Sequence, residues 1–127
     1  MFLRNYVRLP ANNVPKLAQF YQALIPFSFQ IHKSKQYADT DIPGGVLAFF
    51  GPKLIPRGHD ETPLDRKPGT VHLDVENVDQ VFEDALQAGA TPQCQPETRD
   101  GIRHACILDP DQNVVIFEGP DARKFEG

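Results

Sequence analysis

The chain has 127 residues, the length of one domain or of two small units sharing a core. Its 40% apolar content is that of an ordinary globular protein, and a net charge of −4 argues against nucleic acid or an anionic membrane as partner. No apolar run approaches the about 20 residues of a membrane span. The N-terminal "MFLRNYVRLP" carries Arg4 and Arg8 in its apolar stretch and lacks a signal-peptide core, so the expected compartment is the cytoplasm. Cys94 and Cys106 fit that compartment as two free thiols, too few for a disulfide framework or a zinc site.

In chain order, the first expected element is an alternating strand over Leu3 to Pro10. A helix follows, capped near Asn13, with the apolar stripe Val14, Leu17, Ala18, Tyr21 and Leu24, and it runs into Pro26. Three strands complete the set, near Phe27–Lys33, Gln36–Thr40 and Val46–Phe50, with "IPGG" supplying the last turn. The same order is then written again. A strand over Thr70 to Val75 leads to a cap near Asn77 and a helix with the stripe Val78, Val81, Phe82, Ala85 and Leu86. That helix ends at "AGA", where Gly89 can take the left-handed conformation. Strands near Pro92–Pro96, Ile102–Leu108 and Val114–Glu118 follow, the last turn being "DPDQN".

Direct matches support a duplication. "YVRLPANNV" (6–14) aligns with "TVHLDVENV" (70–78) at an offset of 64, and "GVLAFFGP" (45–52) with "NVVIFEGP" (113–120) at an offset of 68. The expected organisation is a first unit over 1–52, a linker over 53–68, a second unit over 69–120 and a tail over 121–127. The linker is rich in proline and charge and is a candidate lid.

A duplicated strand–helix–three-strand unit of this size resembles the vicinal-oxygen-chelate superfamily, which includes glyoxalase I, bleomycin-resistance proteins, fosfomycin-resistance enzymes and extradiol dioxygenases. The marks that carry the resemblance are "FYQAL" in the first helix, "VHLDVENVD", "AGA", and "GIRHACILDPDQNVVIFEG", in which Gln112 replaces the family's turn glycine. The resemblance implies an α+β fold of two tandem βαβββ units forming a curved mixed sheet. It further implies a cup lined by the first and last strand of each unit, and a homodimer. Metalloenzymes of the family hold one divalent ion there on His, Glu or Gln, because imidazole and carboxylate suit first-row divalent metals.

Carried across, the family's ligand positions fall on Tyr6, Ala48, Thr70 and Ile116, which do not make a metal site. Two residues further along each strand, on the same face, stand Arg8, Phe50, His72 and Glu118. A hydrogen bond between His72 and Glu118 is geometrically plausible there. Such a pair would orient a general base or bind one metal loosely. Arg8 would favour a substrate carboxylate or phosphate and oppose a cation.

The leading expectation is therefore a bleomycin-resistance-like small-molecule cup without cofactor. In it Arg8 anchors an anionic group, Phe50 meets an apolar part, and His72 and Glu118 supply polar recognition. The alternative is a lyase, isomerase or dioxygenase that uses His72 and Glu118 as acid/base groups or as ligands of a divalent metal. Each residue also has a plain structural reading: His72 as a strand-edge polar group, Arg8 paired with Glu118 across the sheet, and Phe49, Phe50 and Phe117 as core. His104, on a strand whose facing parity the sequence leaves open, is a reserve candidate. His32 and His59 read as solvated, and Phe20 and Tyr21 as core.

Overall fold

A computed structural model describes residues 5–53 and 67–121. The element order is β1 (Tyr6–Pro10), α1 (Val14–Gln22), β2 (Gln30–Ile31), β3 (Tyr37–Ile42) and β4 (Gly45–Phe50), then β5 (Thr70–Asp74), α2 (Val78–Gln87), β6 (Thr91–Arg99), β7 (Ile102–Leu108) and β8 (Val114–Pro120). Two compact units divide after Gly69, each a βαβββ set with one four-stranded mixed sheet. The strand orders, β1-β4-β3-β2 and β5-β8-β7-β6, repeat the same topology, with the first and last strand of each unit parallel and the rest antiparallel. The fold is α+β. Among the described residues no helix is long and apolar enough to cross a membrane. Of the segment 53–68, expected as a linker and lid, only Lys53, Lys67 and Pro68 are described; His59 and most of the 121–127 tail lie outside the described residues.

The duplication extends to the helix caps. Asn13 Oδ1 accepts the Lys16 amide at 3.1 Å, and Asn77 Oδ1 accepts the Gln80 amide at 3.1 Å, each satisfying a backbone donor that has no intrahelical partner. In the first unit Val14, Leu17, Ala18, Phe20 and Tyr21 are buried on α1. Tyr21 and Phe29 pack on Phe49 with ring centroids 5.0 and 4.8 Å apart. In the second unit α2 buries Val78, Phe82 and Ala85 and packs on β7 and β8. Val71, Ala105, Ile107, Val115 and Phe117 are the buried apolar residues of the sheet beside it. The second core takes alternate residues of β7 and β8, whereas in the first unit β4 is buried on both faces from Val46 to Phe50.

Several bounds differ from the sequence reading. Strand β2 is two residues long where Phe27–Lys33 was expected. Phe29, just before it, is drawn into the core, and its amide is bonded to Gln22 Oε1 at 2.9 Å rather than to a strand. Helix α1 ends at Gln22, well before Pro26. The Ala23 amide bonds the Phe20 carbonyl, and the Leu24 and Ile25 amides both bond the Tyr21 carbonyl. Strand β6 runs on to Arg99 despite Pro92 and Pro96, because it is the outer strand and a missing ladder donor is tolerated at an edge.

Two tight features position the second sheet. The Asp109 carboxylate, 1% exposed, accepts the Asp111 and Asn113 amides at 2.8 and 3.0 Å and the Asn113 side-chain amide at 2.9 Å. This network closes the β7–β8 turn, with Gln112 at φ 69, the left-handed region that a glycine enters without penalty. At the far end of β8 a Cβ on Gly119 would run into the Val75 carbonyl oxygen, so only glycine allows β5 and β8 to approach so closely. Beside it the Val75 amide bonds the Glu118 carbonyl at 2.8 Å.

Candidate metal centre

Alternation and register build the site. In β5 the buried residue Val71 alternates with the exposed Thr70, His72 and Asp74. Strand β8 places Val114, Ile116 and Glu118 on that same face, since Thr70 pairs with Val114, His72 with Ile116 and Asp74 with Glu118. Strand β7 adds Leu108, Cys106 and His104 opposite Val114, Ile116 and Glu118, and β6 adds Cys94 opposite Cys106 and Glu97 opposite His104. The parity of His104 is thereby settled: it shares the face of His72 and Glu118. Its strand neighbours Arg103 and Ala105 are buried on the other side.

His72 Nε2 lies 2.9 Å from Glu118 Oε2. Asp74 completes a group in which one donor atom from each of the three residues lies within 4.8 Å of the others. The side chains of His72 and Glu118 are 51% and 37% exposed, so water and small solutes reach them. A cleft of about 490 Å³ borders the group, lined by Asp74, Val75, Glu76, Ile102, Glu118, Gly119 and Pro120.

The donor set fits a divalent cation. The 2.9 Å between His72 Nε2 and Glu118 Oε2 is a hydrogen-bond length, and two ligands of one cation can stand about as close. One imidazole and two carboxylates are also the donor types of facial metal sites that keep coordination positions open for substrate.

Arg8 and Phe50 belong to the first unit. Arg8 is exposed, with its guanidinium carbon 4.6 Å from the centroid of the Tyr6 ring. Its charge also acts on the nearby Tyr37 hydroxyl. Burial and then the Asp39 carboxylate push the Tyr37 hydroxyl above its ordinary pKa of 10.0, while Arg8 pulls it down. Phe50 pairs with Pro10 and Tyr37 across the sheet and is only 4% exposed. Of the four family ligand positions, Tyr6 sits under Arg8, Ala48 is fully buried between Arg8 and Asp39 in the register, Thr70 is exposed, and Ile116 lies beside His72. His32 is exposed on the rim of a second cleft of about 600 Å³, with Ser34, Gln36, Tyr37 and Lys53.

Asp74 was missed in the sequence. The signal was there, since it stands two residues after His72 on the same alternating strand.

Residues 6–116 match the family described as Glyoxalase-like domain. The chain belongs to that family, and with it to the vicinal-oxygen-chelate superfamily. A comparison with curated proteins gives no match. Among solved structures, a hypothetical protein from S. aureus is 22% identical, covering 94% of each chain with a TM-score of 0.73. A glyoxalase/bleomycin resistance protein/dioxygenase family enzyme from Burkholderia phytofirmans is 19% identical over 91% of this chain and 96% of its own, with a TM-score of 0.69. A glyoxalase-related enzyme from Fulvimarina pelagi is 13% identical over 94% of this chain and 88% of its own, with a TM-score of 0.75. At these identities the likeness is one of fold.

Proposed function

We propose that this glyoxalase-like chain binds a small oxygen-bearing molecule on the His72 face of its second unit, where His72, Asp74 and Glu118 hold a divalent cation. The observation that carries the reading is the three-residue group itself, whose donor atoms all lie within 4.8 Å of one another. In the sequence a metal was the weaker alternative, because two ligands beside an arginine make a poor ion site. Asp74 supplies a third ligand and a second negative charge, which turns the balance. The site stands two residues along the strands from the family's usual positions, where Tyr6, Ala48, Thr70 and Ile116 offer no comparable ligand set.

A bound divalent cation would supply Lewis acidity toward a substrate carbonyl or hydroxyl oxygen. The chain's own residues do the rest. As ligands His72 and Glu118 would hold the cation, and the second, unligated oxygen of Glu118 or Asp74 would take a substrate proton. Ile102 and Pro120 give the cleft an apolar wall, and Asp74 and Glu76 at its rim disfavour anionic substrates. This supports a lyase, isomerase or dioxygenase of the superfamily type acting on a neutral, oxygenated molecule. Equilibrium dialysis against Mn²⁺, Ni²⁺ and Zn²⁺ tests it: one ion per chain is expected, with Asp74→Asn and Glu118→Gln each weakening retention at least tenfold. Equal retention by the variants would defeat the reading.

A second reading has its own support. Arg8, exposed over the Tyr6 ring, is a cation suited to a ligand carboxylate or phosphate in a metal-free, bleomycin-resistance-like pocket. Phe50, as the apolar contact of that pocket, would have to leave its buried position to meet the ligand. A homodimer and a cytoplasmic location belong to the same proposal. The exposed Ile31 and Ile102 support the first, for which light scattering is the check, and two free thiols support the second.

A further inference from the structure

The row that begins with His72 continues across the sheet through Ile116 and Cys106 to Cys94. Cys94 and Cys106 are direct cross-strand partners of the antiparallel β6–β7 pair, so their side chains leave the same face. Both thiols are free, Cys94 exposed and Cys106 partly buried. Opposed residues in an antiparallel pair have Cα atoms about 4.5 or 5.5 Å apart, and both values lie inside the range a disulfide spans. The ladder is irregular on either side of Cys94, between Pro92 and Cys94 and between Cys94 and Glu97. Strand β6 is also the outer strand. This strand can therefore yield locally to the torsion a disulfide requires, without disturbing the core.

We infer that Cys94 and Cys106 form a reversible intrachain disulfide, a redox-sensitive clasp between β6 and β7 on the face that carries His72, Asp74 and Glu118. The oxidant is a low-molecular-weight disulfide. The exposed Cys94 thiolate attacks one of its sulfurs and expels the first small thiol, leaving a mixed disulfide on Cys94. The Cys106 thiolate then attacks the Cys94 sulfur, forms the protein disulfide and expels the second small thiol. Two protein thiols are oxidised, one small disulfide is reduced to two thiols, and both protons leave on those thiols. Burial and then the contact with Cys94 push the Cys106 thiol up to about 11, so it is protonated at neutral pH and the second step is the slow one. Closure accelerates as pH rises toward that value.

The test equilibrates the full chain with graded ratios of glutathione to glutathione disulfide, quenches with an alkylating agent, and reads intact mass and peptide linkage. The expected result is joint loss of both alkylatable thiols at one midpoint, with a mass lower by two hydrogens and a peptide bridge from Cys94 to Cys106 within one chain. In Cys106→Ser the expected product is a single glutathione adduct on Cys94, which separates a reactive Cys94 from a resolving Cys106. The inference is overturned if wild type keeps both thiols at the most oxidising ratio. It is equally overturned if wild type stops at one glutathione adduct after prolonged incubation at pH 9, or if the bridge joins two chains.

Discussion

Removing the His72–Glu118 contact should cost the fold little, and the size of that cost separates a functional pair from a structural one. The two side chains are 51% and 37% exposed, so their 2.9 Å contact is solvated on both sides. Exposed pairs of this kind contribute about 0.2–1 kcal/mol. A double-mutant cycle of His72→Ala, Glu118→Ala and the double variant, in chelator-treated protein, should give a coupling below about 1 kcal/mol. Neither side chain fills the core between α2 and the sheet, so each single variant should melt within about 4 °C of wild type. Urea denaturation gives the free energies and calorimetry the melting temperatures. A coupling above about 2 kcal/mol would refute the reasoning, because the pair would then be a buried structural bridge of the fold.

Three further outcomes follow from the structure. Arg103, 7% exposed, donates from Nε and Nη2 to the two oxygens of Asp79 at 3.0 and 2.8 Å; with Asp79 itself 42% exposed and Thr98 still bonded to Arg103, Asp79→Ala should destabilise by about 1–2 kcal/mol in urea titration, more than either site variant. Gln112 at φ 69 carries left-handed strain, and Gln112→Gly should raise stability by a few tenths to about 1 kcal/mol on the same titration. Cys106, raised from its ordinary 9.0 to about 11 in the reduced fold, favours the protonated thiol. Its contribution to stability should be fully present below pH 9 and fade as pH rises to about 11, in wild type but not in Cys106→Ser.

The sequence carried the duplicated architecture because both halves obey local rules strongly. The Asn13 and Asn77 caps, the alternation of β5, β7 and β8, and the Asp109 turn each follow from short-range chemistry that repeats at nearly constant offset. What was less legible depended on packing or register. The length of β2 turns on Phe29 being drawn into the core beside Phe49, which no periodicity over Phe27–Lys33 reveals. The facing of His104 became definite only through its pairing with Glu118 across β7 and β8. Cys94 and Cys106 read as separate thiols in the sequence because two register shifts in β6 hide their pairing from simple counting. His72 and Glu118 were found by stepping two residues from the family's ligand positions, and one more such step along β5 reaches Asp74.

The central claim is that His72, Asp74 and Glu118 hold a cation, and a thermal melt tests it most directly. Wild type and His72→Ala are melted in chelator and then with Ni²⁺, Zn²⁺, Mn²⁺ or Fe²⁺ at 100 times the dissociation constant measured for wild type. A ligand that binds only the folded state then adds about 2.7 kcal/mol, a rise of roughly 8–12 °C for a domain of this size. The account predicts that rise for at least one metal in wild type and its loss in His72→Ala. If no metal shifts wild type, or if the variant shifts equally, the metal centre is contradicted and the Arg8 pocket becomes the reading to pursue.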